Sequence, residues 1–247
     1  MIRKSLIIFL PVGYPSKEST LEFMLSAKAD VLELGIPFSD PIADGAIIQR
    51  AYFKALSSGF KINDVFWIAR KFLEMDDKKL VLMSYFNPIY RMGIREFVER
   101  AYESGFSALL VVDLPFDEAF NFVEVCREVG IGNVFLAAPN TSEERLRVID
   151  ELSTFIYLVS TYGVTGVREK VSELAFKALS KVKTICKKPV AVGFGVSKKE
   201  HVLELFKAGA DGVVIGSAIV KIIEEFGVKA KEEIERFTSA LVEGLVE

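Results

Sequence analysis

Histidine occurs once in the 247 residues, at His201, and cysteine twice, at Cys126 and Cys186. The two cysteines fall on separate expected helices, with no CxxC spacing and no histidine companion. They read as small buried hydrophobes in a reducing compartment, not as metal ligands or a disulfide framework. An excess of positive charge is missing too: 31 Lys and Arg against 34 Asp and Glu leave a formal charge of −3, which gives no electrostatic footprint for nucleic acid. No apolar run approaches the roughly 20 residues needed to cross a bilayer. The basic start followed by Leu6-Ile-Ile-Phe-Leu superficially resembles a signal peptide, but Pro11 and the Gly13-Tyr-Pro turn arrive too early, so a first core strand is expected. Linkers and low-complexity segments are absent as well. A composition that is 51% hydrophobic and 26% charged is that of a globular chain, expected to form a single domain over residues 1–247 in the cytoplasm.

Apolar, β-rich runs recur at residues 6–10, 31–34, 80–83, 108–112, 133–137, 155–159, 189–192 and 212–215. Helical spacing of apolar side chains marks residues 17–28, 45–58, 62–73, 94–104, 118–129, 142–152, 169–183 and 198–207, and residues 229–246 close the chain. Strand and helix thus alternate with a unit of about 31 residues, the proportions of an α/β fold closed as a (β/α)8 TIM barrel. Three stretches, around Asp30, Ser107 and Asp211, repeat one plan in which a helix ends on small residues and the chain turns into an apolar strand. A doubly wound open sheet uses the same alternation. It would ordinarily carry a glycine-rich phosphate fingerprint after the first strand, and Gly13-Tyr-Pro is not one.

In a barrel the site lies where the strands end. Those ends read Pro11, Glu33, Ser84 and Tyr85, Asp113, Ala138 and Pro139, Ser160, Gly193, and Gly216. No lysine is among them, which argues against Schiff-base aldol chemistry. No histidine is either, and without clustered His, Asp and Glu no metal-assisted cleavage is expected. Acid–base chemistry by carboxylates remains. Glu33 is a carboxylate on a strand covered on both faces, costly to bury unless it is paired, neutralised or functional. Asp44 follows after a loop stiffened by Pro37 and Pro41, either as a second functional acid or as the cap of the helix that begins at Gly45. Asp113 is a third candidate, with a capping or turn role as its alternative.

Glycines crowd the seventh and eighth strand ends, in Gly193-Phe-Gly-Val-Ser197 and Gly216-Ser-Ala-Ile-Val-Lys221. Barrels often bind phosphate there through backbone N–H groups and a helix N-terminus, although tight turns need glycine anyway. Gly166, Gly195, Gly216 and Ser217 are the candidate phosphate contacts. The glycine-rich loop over residues 160–168, which contains Thr165, is a candidate lid. Phe9, Tyr85, Tyr157 and Phe194 would wall a flat apolar slot opposite the phosphate. Trp67 and His201 fall on outer helices and receive no role.

Glu33-Leu-Gly-Ile-Pro-Phe-Ser-Asp-Pro-Ile-Ala-Asp44-Gly, continuing to Ile48-Gln49, resembles the signature of tryptophan synthase alpha subunits. Tyr157-Leu-Val-Ser, Gly163-Val-Thr-Gly166, Gly193-Phe-Gly-Val-Ser197 and Gly216-Ser-Ala-Ile-Val-Lys221 extend the resemblance over nearly the whole chain. It implies a carbon–carbon lyase that cleaves indole-3-glycerol phosphate to indole and glyceraldehyde 3-phosphate, in tryptophan biosynthesis. Glu33 would be the acid–base group, and Asp44 would accept the indole N–H hydrogen bond. Thr165 is placed among the substrate contacts. No cofactor is implied in this chain; pyridoxal phosphate belongs to a beta subunit partner, expected in an α2β2 complex. Pro37, Phe38, Asp40 and Pro41 would meet that partner, with Phe38 expected at the surface. Two departures stand out: Pro11-Val-Gly-Tyr-Pro15 replaces a Thr-x-Gly-Asp-Pro-like run, and a helix that often precedes the first strand is missing. Two other readings stay open, an allosteric activator of the beta subunit that is catalytically poor alone, and a different phosphate-binding barrel isomerase.

Overall fold

The computed structural model describes residues 2–159, 173–193, 196 and 198–243. Strand β1 (Ser5–Pro11) is followed by helix α1 (Lys17–Ser26), β2 (Val31–Gly35), α2 (Ala46–Ser57), α3 (Ile62–Leu73) and β3 (Lys79–Ser84). Next come α4 (Phe86–Met92), α5 (Ile94–Glu103), β4 (Phe106–Val111), α6 (Phe120–Val129), β5 (Gly132–Ala137), α7 (Glu143–Leu152) and β6 (Phe155–Val159). The remainder is α8 (Glu173–Ile185), β7 (Val190–Gly193), α9 (Lys199–Lys207), β8 (Gly212–Ile215), α10 (Ser217–Phe226) and α11 (Ala230–Val242). The strands pair in parallel in sequence order, and β1 pairs with β8 as well as with β2, which closes a TIM barrel.

Strands buried on both faces read as continuous apolar runs, because the helices cover the outside while side chains fill the inside. Register places Phe9 beside Glu33, Glu33 beside Val81, and Val81 beside Ala108. Residues in register on parallel strands share a face, so this row is the one from which Glu33 projects. The adjoining row, Leu10, Leu34, Leu82 and Leu109, belongs to the opposite face and is 0–1% exposed. Burying a side chain of that size contributes about 1.5–3 kcal/mol.

Two aspartates join strands where they begin. The Leu6 N–H donates to Asp30 Oδ2 at 2.8 Å, and the Val190 N–H donates to Asp211 Oδ2 at the same distance, with Lys183 Nζ also on Asp211 at 2.7 Å. The repeated turn-to-strand plan therefore serves cohesion at this end of the barrel. Ile2 is buried there, 3.2 Å from where a methyl group on Gly212 would lie.

Several expected boundaries shift. Helix α1 stops at Ser26, α2 runs from Ala46 to Ser57, and residues 116–118 form a separate 3-10 turn ahead of α6. Helix α4 is an addition; its Pro88 falls in the first turn, where proline is tolerated because a backbone N–H there has no partner to lose. Cys186 lies just past the end of α8, and both cysteines are free and buried. Among the described residues, no helix is long and apolar enough to cross a membrane.

Candidate active site

Strand β2 delivers Glu33 to the barrel's mouth with 2% of its surface exposed. Two residues on, the same face of the strand carries Gly35, and the absent side chain there matters. A methyl group at Gly35 would collide with the Tyr52 hydroxyl and lie 2.5 Å from Phe9 Cε2. Phe9 thus fills the space beside Glu33, and its ring also reaches Gly216 at the end of β8, 3.4 Å from where a methyl group there would sit.

Beyond Gly35 the chain folds back on itself. The Ile36 N–H donates to Met83 O at 2.9 Å and the Asp44 N–H to Pro41 O at 3.0 Å, which turns residues 36–44 into a compact loop. Tyr85, immediately after β3, fastens that loop. Its hydroxyl accepts the Ala43 N–H at 3.0 Å and donates to Asp44 Oδ2 at 2.7 Å. Phe38 stacks on the Tyr85 ring, with centroids 5.0 Å apart and planes 27° from parallel. Gln49 Nε2 donates to the Asp44 carbonyl at 2.7 Å.

The helix-capping alternative for Asp44 does not hold: α2 is preceded by Gly45, which makes no side-chain cap, and the Asp44 carboxylate points to Tyr85 instead. Asp113 is the structural acid. It is exposed, and its Oδ1 accepts the Phe86 N–H at 2.7 Å, capping α4. Phe38 corrects another expectation. It packs against the core and stacks on Tyr85, and Pro37 is buried, while the loop's exposed apolar side chain is Ile42, 76% accessible. Asp40 is exposed and Pro41 half-buried.

Burial sets the electrostatics. Desolvation, reinforced by the charge of Asp44, pushes the Glu33 carboxyl up to about 8. Asp44 is also 2% exposed; desolvation raises it to about 6, held in check by the hydrogen bond from Tyr85. Between about pH 6 and pH 8 the pair therefore holds one proton, on Glu33, and one negative charge, on Asp44. Two carboxyls in different environments are the pattern by which one site keeps an acid and an anion at neutral pH. Burial first, and then the two carboxylates, keep the phenols of Tyr52 and Tyr157 neutral.

The structure thus gathers Glu33, Asp44, Phe9, Tyr85 and Tyr157 at one mouth, with Gly216 and Ser217 opening α10 beside Phe9. Thr165, Gly166, Phe194, Gly195 and the candidate lid over residues 160–168 lie outside the described residues. Tyr52 escaped the sequence reading. Its signal was a polar-tipped aromatic on the buried face of α2, in line with Ile48, Ala51 and Ala55. Among the described residues no cluster of His, Cys, Asp and Glu is placed to hold a metal ion.

Fold and site together define a class: a parallel eight-stranded α/β barrel whose mouth carries two buried carboxyls of unequal acidity. The model of the tryptophan synthase alpha chain family matches residues 2–245, and the chain belongs to that family. It is 61% identical to the tryptophan synthase alpha chain of Archaeoglobus fulgidus, with both chains covered in full. It is 53% identical to that of Pyrococcus furiosus over 96% of this chain and 97% of the relative. It also superposes with a TM-score of 0.94 on a chain of the Pyrococcus furiosus tryptophan synthase complex, at 50% identity over 98% of this chain and 100% of the other. A structure describing mutual activation of the α2β2 complex from the same organism matches with a TM-score of 0.94 and 52% identity, over the same shares of the two chains.

Proposed function

We propose that the chain is the lyase subunit of a cytoplasmic tryptophan synthase and cleaves indole-3-glycerol phosphate to indole and glyceraldehyde 3-phosphate. The observation that carries this reading is the unequal pair, Glu33 protonated and Asp44 ionised at neutral pH. Glu33 gives its proton to the ring carbon that bears the glycerol chain. The ring becomes an indolenine, whose positive charge and N–H are stabilised by Asp44, held in place by Tyr85. The carboxylate left on Glu33 then takes the proton of the adjacent glycerol hydroxyl as the carbon–carbon bond breaks, which regenerates the acid. The reaction uses the chain's own carboxyls and no cofactor. Phe9, Tyr85 and Tyr157 supply apolar walls for the ring. The phosphate is assigned to Gly216 and Ser217 with Thr165, Gly166 and Gly195, where the N-terminus of α10 favours an anion. Phe194 is assigned to the ring slot.

The loop over residues 37–44 is the assigned contact for a pyridoxal-phosphate-dependent beta subunit, through Asp40, Pro41 and the exposed Ile42. Phe38 acts from beneath, through its stack on Tyr85.

Incubation of the purified chain with indole-3-glycerol phosphate, alone and with a beta subunit, should release indole. Glu33→Gln should lower the rate by at least 10²-fold, the usual worth of a general acid. A variant keeping more than about a tenth of the rate would remove Glu33 from this role.

A further inference from the structure

Among the described residues, Tyr52 is the one buried phenol at this mouth that the mechanism above leaves unused. Its side chain is 0% exposed, and its hydroxyl has no hydrogen-bond partner. An orphaned buried hydroxyl costs about 1–3 kcal/mol, and a phenylalanine would pack in its place without that cost. The hydroxyl is nevertheless aimed at the backbone of Gly35, the next residue on the face from which Glu33 projects. The glycine leaves room for that approach, since any side chain there would collide with it.

The Glu33 carboxyl has a matching deficit. No described residue donates a hydrogen bond to it, whereas Asp44 already receives one from Tyr85. A protonated carboxyl tolerates this, because it is neutral. The carboxylate that remains once the proton has left is a buried anion without a donor among the described residues.

We propose that Tyr52 is a positioning residue for the proton-transferring acid, whose hydroxyl donates to the Glu33 carboxylate during the interval in which that carboxylate is ionised. The inference rests on the proton-transfer role assigned to Glu33 above. Tyr52 keeps its own proton throughout, so the atoms balance without it: one proton leaves Glu33 for the ring carbon, and one returns to Glu33 from the glycerol hydroxyl. Among the described residues, the titratable groups facing Glu33 are Asp44 from the loop after β2, Tyr157 from β6 and Tyr52 from α2, with Tyr85 from the end of β3 beside Asp44. Tyr85 is committed to Asp44 and Ala43. Tyr157 faces the end of β7, where a side chain at Gly193 would run into its hydroxyl. Among the described residues, Tyr52 is the phenol at this mouth whose hydroxyl has no partner to give up in meeting the new charge.

The test is Tyr52→Phe, read by the pH profile of indole release. A hydrogen bond to a charged group lost only from the ionised state should lower kcat about 10–100-fold, with KM changed less than about threefold. The donor favours ionised Glu33, so its removal should move the upper limb of the kcat profile, where the acid is lost, to higher pH by about one unit. A purely structural hydroxyl would move neither. Infrared titration of the Glu33 carboxyl in the unliganded chain, assigned by difference with Glu33→Gln, should show the same upward displacement in Tyr52→Phe. Unchanged kcat and an unmoved upper limb would overturn the proposal, as would displacement of the lower limb alone, which would assign the hydroxyl to Asp44. If the wild type released no indole, the proposed function would fail. The infrared titration would still decide whether Tyr52 serves Glu33.

Discussion

Replacing Glu33 with glutamine should make the chain more stable in alkaline solution and leave it little changed in acid. The carboxyl titrates near 4.5 when the chain is unfolded and near 8 when it is folded, where burial and Asp44 oppose its charge. Below about pH 4.5 both states hold the proton, and burial of the neutral acid costs little. As pH rises through this window the unfolded chain ionises and the folded chain does not, so stability falls until the folded carboxyl ionises too near pH 8. At 1.36 kcal/mol per pH unit, the displacement corresponds to roughly 5 kcal/mol. Glutamine has no such dependence. A glutamine N–H left without a partner costs the same at every pH, so the informative quantity is the difference between the two pH values, in which that constant cost cancels. Guanidinium unfolding followed by circular dichroism at pH 4 and pH 9, for wild type and Glu33→Gln, measures it directly. The variant's advantage should grow by about 3–5 kcal/mol between the two, or roughly 10 °C in Tm for a chain of this length. An advantage equal at both pH values within about 1 kcal/mol would refute the reasoning, because Glu33 would then titrate in the folded chain as it does in water.

Tyr85→Phe removes the donor that favours ionised Asp44 and the acceptor for Ala43, so the lower limb of the activity profile should move up from about pH 6; an unmoved lower limb in the indole assay would sever Tyr85 from Asp44. Gly35→Ala forces a methyl group against Tyr52 and Phe9 and should cost about 1–3 kcal/mol in denaturant unfolding, partly recovered in combination with Tyr52→Phe; no recovery would mean that Phe9 alone sets the limit. Asp211→Ala leaves the Val190 N–H without its carboxylate at the opposite end of the barrel, so unfolding free energy should drop by about 1–3 kcal/mol while indole release per folded molecule stays constant. A loss of kcat without a loss of stability would show that Asp211 reaches the mouth.

The barrel was legible because its two periodicities are dense and local: each apolar run is short, and each sits between helical stretches whose apolar spacing repeats every turn. Strand β8 matches its expected bounds, Gly212–Ile215, and most other strands differ by one or two residues at an end. Glu33 was legible for a different reason, since a carboxylate inside a doubly covered strand conflicts with its surroundings. Relations between distant segments were not legible. That Phe38 faces inward depends on Tyr85, forty-seven positions later, and that Asp44 is buried depends on the same ring. Tyr52 was hidden by its own regularity: on the buried face of α2 it reads as one more core aromatic until the third dimension leaves its hydroxyl unpaired.

The Tyr85 hydroxyl binds the loop and the acid through a single oxygen atom, with Ala43 on its accepting side and Asp44 on its donating side. Where the loop sits and how Asp44 is charged are consequently one variable. Protonating Asp44 weakens the bond that draws the loop inward, and lifting the loop removes the donor that keeps Asp44 ionised. A protein that settles on this loop and presses Phe38 against Tyr85 therefore holds the charge in place without touching it, and by reciprocity that protein is itself gripped more weakly once the solution turns acid enough to discharge the aspartate.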